Sequence, residues 1–124
     1  MLIACGGSGR TGLRVEITER TVVLEEFSFR PDLLSVGAGE EVTFTLTNEG
    51  RVAHNWVLLA VGVAATRSDD VERDDILFEE FTNPGGTIEV PFTAPTEPGS
   101  YRIVCTISGH LEAGMEGELL VREG

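Results

Sequence analysis

The chain has 124 residues, enough for one domain with its own core, and 9 basic against 21 acidic residues give a formal net charge of −12. That balance excludes nucleic acid as a partner, since nucleic-acid binders displace counterions with a basic face, and it excludes docking on anionic lipid by the same means. Two Cys, two His and two Met are too few for a disulfide framework or for the several imidazoles of a multicopper oxidase, and a four-ligand Cys/His zinc site would consume every Cys and His.

In chain order, Leu2-Ile3-Ala4-Cys5 comes first and resembles a bacterial lipobox, with Gly6-Gly7-Ser8-Gly9 behind it as a flexible tether. Residues 1–13 are therefore expected to be a leader, and 14–124 the folded domain. Lipidation at Cys5 would hold that domain outside the cytoplasm. The charged segment and the apolar run that precede a cleavage site are not in front of this motif, so a short leader with an unmodified Cys is the other reading. No run of about 18 apolar residues is long enough to cross a bilayer as a helix.

From Arg14 onward the pattern is β. Val22 to Phe29 is rich in β-branched and aromatic residues, and Val42 to Thr47 alternates, with Val42, Phe44 and Leu46 on one face. A further strand is expected near 54–61. Residues 67–80 hold seven acids and two arginines, which predicts a solvated surface excursion with, at most, a helical turn. Ile88 to Phe92, Tyr101 to Cys105 and Leu119 to Val121 complete the set. Turn clusters at 37–39, 48–50, 83–86 and 95–99 punctuate it. Seven or eight such strands predict an all-β, antiparallel sandwich.

The chemistry lies in Cys105-Thr106-Ile107-Ser108-Gly109-His110-Leu111-Glu112-Ala113-Gly114-Met115. Tyr101, Ile103 and Cys105 share a strand face that aims the thiol inward. Gly109 and Gly114 allow two bends that return His110 and Met115 toward it, and His54 begins an apolar stretch at a turn edge. One thiolate, two imidazoles and a thioether form the donor set of a blue-copper electron-transfer site. Soft sulfur suits copper(I), imidazole suits copper(II), and a trigonal plane with a weak axial sulfur serves both. Taken singly each residue has an ordinary reading, Cys105 as a small core hydrophobe above all. Jointly they place both His, one Cys and the internal Met in a single spaced pattern.

These segments resemble the cupredoxins, the blue copper proteins of plastocyanin and azurin type. Gly99 through Met115 follows the family's G-x-Y-x-x-x-C-T-x-x-G-H-x-x-x-G-M loop, and Asn48 through Asn55 its first-ligand segment. The C-x4-H-x4-M spacing is similar to the auracyanin branch, whose members can be lipid-tethered. Ser108 departs from the pattern where Pro is common. The resemblance implies a Greek-key sandwich binding one copper through His54, Cys105, His110 and, axially, Met115, with the Ala53 carbonyl as a distant contact. It implies that the Asn55 amide donates to the Cys105 sulfur and that the Asn55 side chain ties its loop to Thr106. His110 would be the exposed electron port, ringed by Leu111, Ala113 and Gly114.

The expected function is one-electron transfer between redox proteins outside the cytoplasm, without substrate turnover, by a monomer. The −12 charge points to a positively charged partner such as a c-type cytochrome. A copper(I) trafficking or storage module and a metal-free sandwich used for binding are the rival readings. A dinuclear copper domain would need a second Cys in the ligand loop, where position 109 is Gly.

Overall fold

The structure, a computed structural model, describes residues 19–124; the leader 1–13 and Cys5 lie outside the described residues. Nine strands form among the described residues: β1 (Thr21–Glu25), β2 (Ser28–Arg30), β3 (Leu33–Gly37), β4 (Glu41–Asn48), β5 (His54–Leu59), β6 (Ile76–Thr82), β7 (Thr87–Thr93), β8 (Gly99–Val104) and β9 (Glu116–Arg122). They make two sheets ordered β2-β1-β4-β7 and β3-β9-β8-β5-β6. No helix among the described residues is long and apolar enough to cross a membrane.

Two pairings are parallel, β1 on β4 and β3 on β9, while the rest are antiparallel. Both sheets are therefore mixed rather than purely antiparallel. Alternation along a single strand is the same for either direction, so the sequence pattern carries no trace of these long-range choices. The stretch 22–29 is likewise two strands, β1 and β2, folded about a tip at Glu26-Phe27.

The inner faces of the sheets pack on each other through alternate residues. Phe44, Trp56 and Phe92 meet with ring centroids 5.2–6.0 Å apart, and Leu24, Leu46 and Leu58 are at most 1 % exposed around them. Each such side chain contributes about 1.5–3 kcal/mol of apolar burial, which orders strands this short.

β5 is buried along its whole length, on both faces. Trp56 and Leu58 face the intersheet core, whereas Val57 and Leu59 face a second cluster with Ala65, Val104 and Leu111. Residues 60–75, which cross that outer face, contain two 3₁₀ turns, Ser68–Asp70 and Arg73–Asp75. The acidic excursion thus ends at Asp75, and the expectation that it runs on to Glu80 is corrected: Ile76–Thr82 is β6, an edge strand. Its acids, Glu79 and Glu80, suit an edge, because charge there opposes pairing with another sheet.

Candidate metal centre

His54 opens β5 on the face that carries Trp56 and Leu58, so its imidazole enters the space between the sheets and is fully buried. Cys105 follows β8 in line with Tyr101 and Ile103 and is also fully buried. After it the chain winds through turns: the His110 amide donates to the Ile107 carbonyl, the Gly114 amide to Leu111, and the Met115 amide to His110. Gly109 at φ 84° and Gly114 at φ 99° occupy left-handed backbone that a β-carbon would strain. The loop closes where the Cys105 amide donates to the Met115 carbonyl at 3.2 Å. A Cys, a His and a Met thereby come from one short loop, with Met115 fully buried and His110 only 7 % exposed.

The donor atoms converge. Nδ1 of His54 lies 3.2 Å from Nδ1 of His110, and the Cys105 Sγ lies 3.4 Å from the latter and 3.9 Å from the former. An ion held in a trigonal plane at ~2.0 Å from nitrogen and ~2.3 Å from sulfur would set its nitrogens roughly 3.5 Å apart, and each roughly 3.7 Å from the sulfur. The observed triangle matches that to within about 0.3 Å on every side. Three buried donors facing one point fit a small soft-to-intermediate cation.

Protonation supports the same use. Burial pushes the Cys105 thiol above its ordinary value, while the backbone amides of Asn55 and Ile107 donate to the sulfur and favour the thiolate. Burial, and after it the neighbouring His54, push His110 below the usual imidazole value, leaving a neutral ring whose lone pair is free. Nε2 of His54, on the far side of its ring, stands 2.7 Å from Oε2 of Glu26. A carboxylate accepts there, so the proton sits on Nε2 and Nδ1 is left as the donor to a metal.

A network of side chains fixes these positions. Asn55 donates through Nδ2 to Thr106 Oγ1 at 2.8 Å, and its Oδ1 accepts from the Thr106 amide at 2.7 Å. Residues adjacent to two donors are thus bonded to each other across the sheet. Ser68, in the excursion, donates its hydroxyl toward the Ile107 carbonyl at 3.0 Å and the Glu112 carboxylate at 2.6 Å, and its amide also donates to Glu112. That hydroxyl braces the ligand loop from outside, at the place where Ser108 brings no proline stiffness. Ala53 is half-buried in the chain leading into His54.

The surface over His110 differs from expectation at one residue. Ala113 and Gly114 are exposed, but Leu111 turns inward and is 5 % exposed against Val57 and Leu59. The outer face of β5 needs apolar cover, and Leu111 supplies it. In its place Phe27, 44 % exposed at the β1–β2 tip, sets its ring edge-on to His110 with centroids 5.1 Å apart. Neither Glu26 nor Phe27 was visible as a site residue. The signal was slight: two adjacent acids, Glu25-Glu26, interrupting an apolar β run.

Residues 17–122 match the family described as copper binding proteins of the plastocyanin/azurin family. Auracyanin-A of Chloroflexus aurantiacus is 32 % identical over 98 % of this chain and 88 % of its own, and the copper-resistant cuproprotein CopI of Rubrivivax gelatinosus is 31 % identical over 92 % and 73 %. The crystal structure of dithionite-reduced auracyanin from Roseiflexus castenholzii superposes with a TM-score of 0.71 at 26 % identity, over 86 % of this chain and 98 % of that one.

Proposed function

This chain belongs to the plastocyanin/azurin family of copper-binding proteins, and on that premise we propose how it carries electrons as a type 1 copper protein. The observation that supports the reading is the triangle of Cys105 Sγ and the two histidine Nδ1 atoms. Bound copper supplies a one-electron couple. Cys105, His54 and His110 would hold it, and the thioether of Met115, a fully buried residue of the same loop, would be a further, weaker donor. Donors held in advance by the fold would move little when the charge of the ion changes. Asn55 and Thr106 keep the strand-borne and loop-borne donors in register, and the Ala53 carbonyl, in the chain leading into His54, would be at most a distant contact.

His110 is the electron port, being the donor nearest the surface. Around it Phe27, Ala113 and Gly114 present a small apolar face suited to brief redox encounters. The acidic chain favours a basic partner such as a c-type cytochrome, with association that slows as salt rises. The domain works as a monomer outside the cytoplasm, tethered through Cys5, and turns over no substrate. The tether reading rests on the Leu2-Ile3-Ala4-Cys5 motif alone and is tested by mass spectrometry of the membrane fraction.

The absorption and EPR spectra of the copper-loaded protein test the whole reading. An intense visible thiolate-to-copper(II) band is expected, and Cys105→Ser abolishes it. A colourless wild-type protein would end the proposal. The match to a copper-resistance cuproprotein favours a second reading, in which the site handles copper rather than electrons. Reversible one-electron voltammetry with fast exchange supports the carrier; tight copper(I) binding with sluggish exchange supports the second.

A further inference from the structure

The first hairpin reaches behind the metal centre. Its tip carries Glu26, whose Oε2 meets the Nε2 of His54 at 2.7 Å, on the side of the ring opposite Cys105 and His110. The same carboxylate accepts the Arg51 amide on both oxygens at 3.0 Å and the Val52 amide at 3.4 Å. It therefore joins the β1–β2 tip to the segment that leads into His54. The path is kept open by Gly50: a β-carbon there would overlap Glu26 Oε2 and stand 2.9 Å from His54 Nε2. Two separate features, an acid at the tip and a missing side chain in the facing loop, serve one contact.

We infer that Glu26 is a positioning residue for copper, which fixes the His54 ring with Nδ1 toward the ion and, through its charge, favours the cupric state. The inference rests on the copper-carrier reading given above. A carboxylate on Nε2–H makes the imidazole a stronger donor, as ligand-orienting carboxylates do in other metal sites. Glu26 is itself exposed, but its charge faces the ion across the fully buried His54 ring, a path screened less than open water. Both effects stabilise copper(II) over copper(I), so the protein runs at a lower potential than it would with a neutral acceptor at position 26.

Glu26→Gln is the direct test, since the amide keeps the shape and an acceptor oxygen while removing the charge. Glu49→Gln removes an equal charge from an exposed neighbour paired with Arg30 and serves as the reference. Copper-loaded Glu26→Gln is expected to stay blue and to lower the ratio of copper(II) to copper(I) affinity about tenfold or more. Each factor of ten raises the potential by about 59 mV. Gly50→Ala, which displaces the carboxylate without removing it, moves the potential the same way. In the zinc-loaded wild type the His54 Nε2–H proton resonates far downfield and exchanges slowly, and in both variants that signal shifts or broadens. An upward shift in potential larger than that of Glu49→Gln supports the inference. A shift equal to the reference, smaller or downward, in whichever of the two variants folds, overturns it. A wild type with no visible band would instead defeat the carrier reading itself, so the two failures are distinct.

Discussion

The paired bonds between Asn55 and Thr106 make a sharp test of how the site is held. Asn55 is 4 % exposed, donates to Thr106 Oγ1 at 2.8 Å and accepts from the Thr106 amide at 2.7 Å. Asn55→Ala removes both bonds, each worth about 1 kcal/mol net, and strands a partly buried amide at a further cost of about 1 kcal/mol. The total, about 3 kcal/mol, is a large share of the stability of a domain this size. At about 4 °C per kcal/mol it lowers the melting temperature of the metal-free protein by about 12 °C. Thr106→Val keeps the amide bond and loses only the hydroxyl, for about 1 kcal/mol. The double variant should then be no worse than Asn55→Ala, giving a coupling of about 1 kcal/mol in urea-unfolding cycles. Strict additivity, to within about 0.3 kcal/mol, would refute the claim that these two residues act through each other.

Three other expectations concern charge and surface. Because burial holds the Cys105 thiol protonated at neutral pH and leaves His110 neutral, metal uptake must displace the thiol proton. Affinity should rise about tenfold per pH unit through neutrality in chelator competition, and Cys105→Ala should flatten that slope; an equal slope in the variant would refute it. The Ser68 hydroxyl lowers the Glu112 carboxyl, and the Thr66 and Arg67 amides lower that of Asp70. Carboxyls depressed in the fold stabilise it fully above their unfolded values, near ~4, and lose that contribution as pH falls through the lower folded values. Ser68→Ala should shrink this acid loss in urea midpoints taken from neutral to acidic pH, and an unchanged acid profile would clear Ser68 of the role. Phe27→Ser should leave the visible band in place yet slow exchange with a basic redox partner several-fold; rates equal to wild type would take Phe27 out of the docking face.

How far the sequence could be read depended on the range of the contacts involved. The ligand loop was legible because its geometry is local: Gly109 and Gly114 sit where left-handed backbone is needed, and the face shared by Tyr101, Ile103 and Cys105 follows from strand alternation. Val42 to Thr47 was legible for the same reason. β6 was hidden by its acids, which mark an edge strand in space and a solvated loop in composition. The parallel pairs, the inward turn of Leu111 and the reach of Glu26 to His54 all join residues far apart in the chain. Nothing in the local periodicity encodes those meetings; they follow from which surfaces the assembled sheets leave uncovered.

The position of β9 has a consequence for biogenesis. It lies between β3 and β8, pairing in parallel with the first and antiparallel with the second, yet the ribosome adds it only after the metal-binding loop. Until Glu116–Arg122 emerges, β3 has no partner strand among the described residues and the loop has no downstream anchor. The four donor residues are therefore expected to assemble only once β9 is in place, with copper taken up by the completed domain. A stop codon at Glu116 would spare every donor residue and still leave them unassembled.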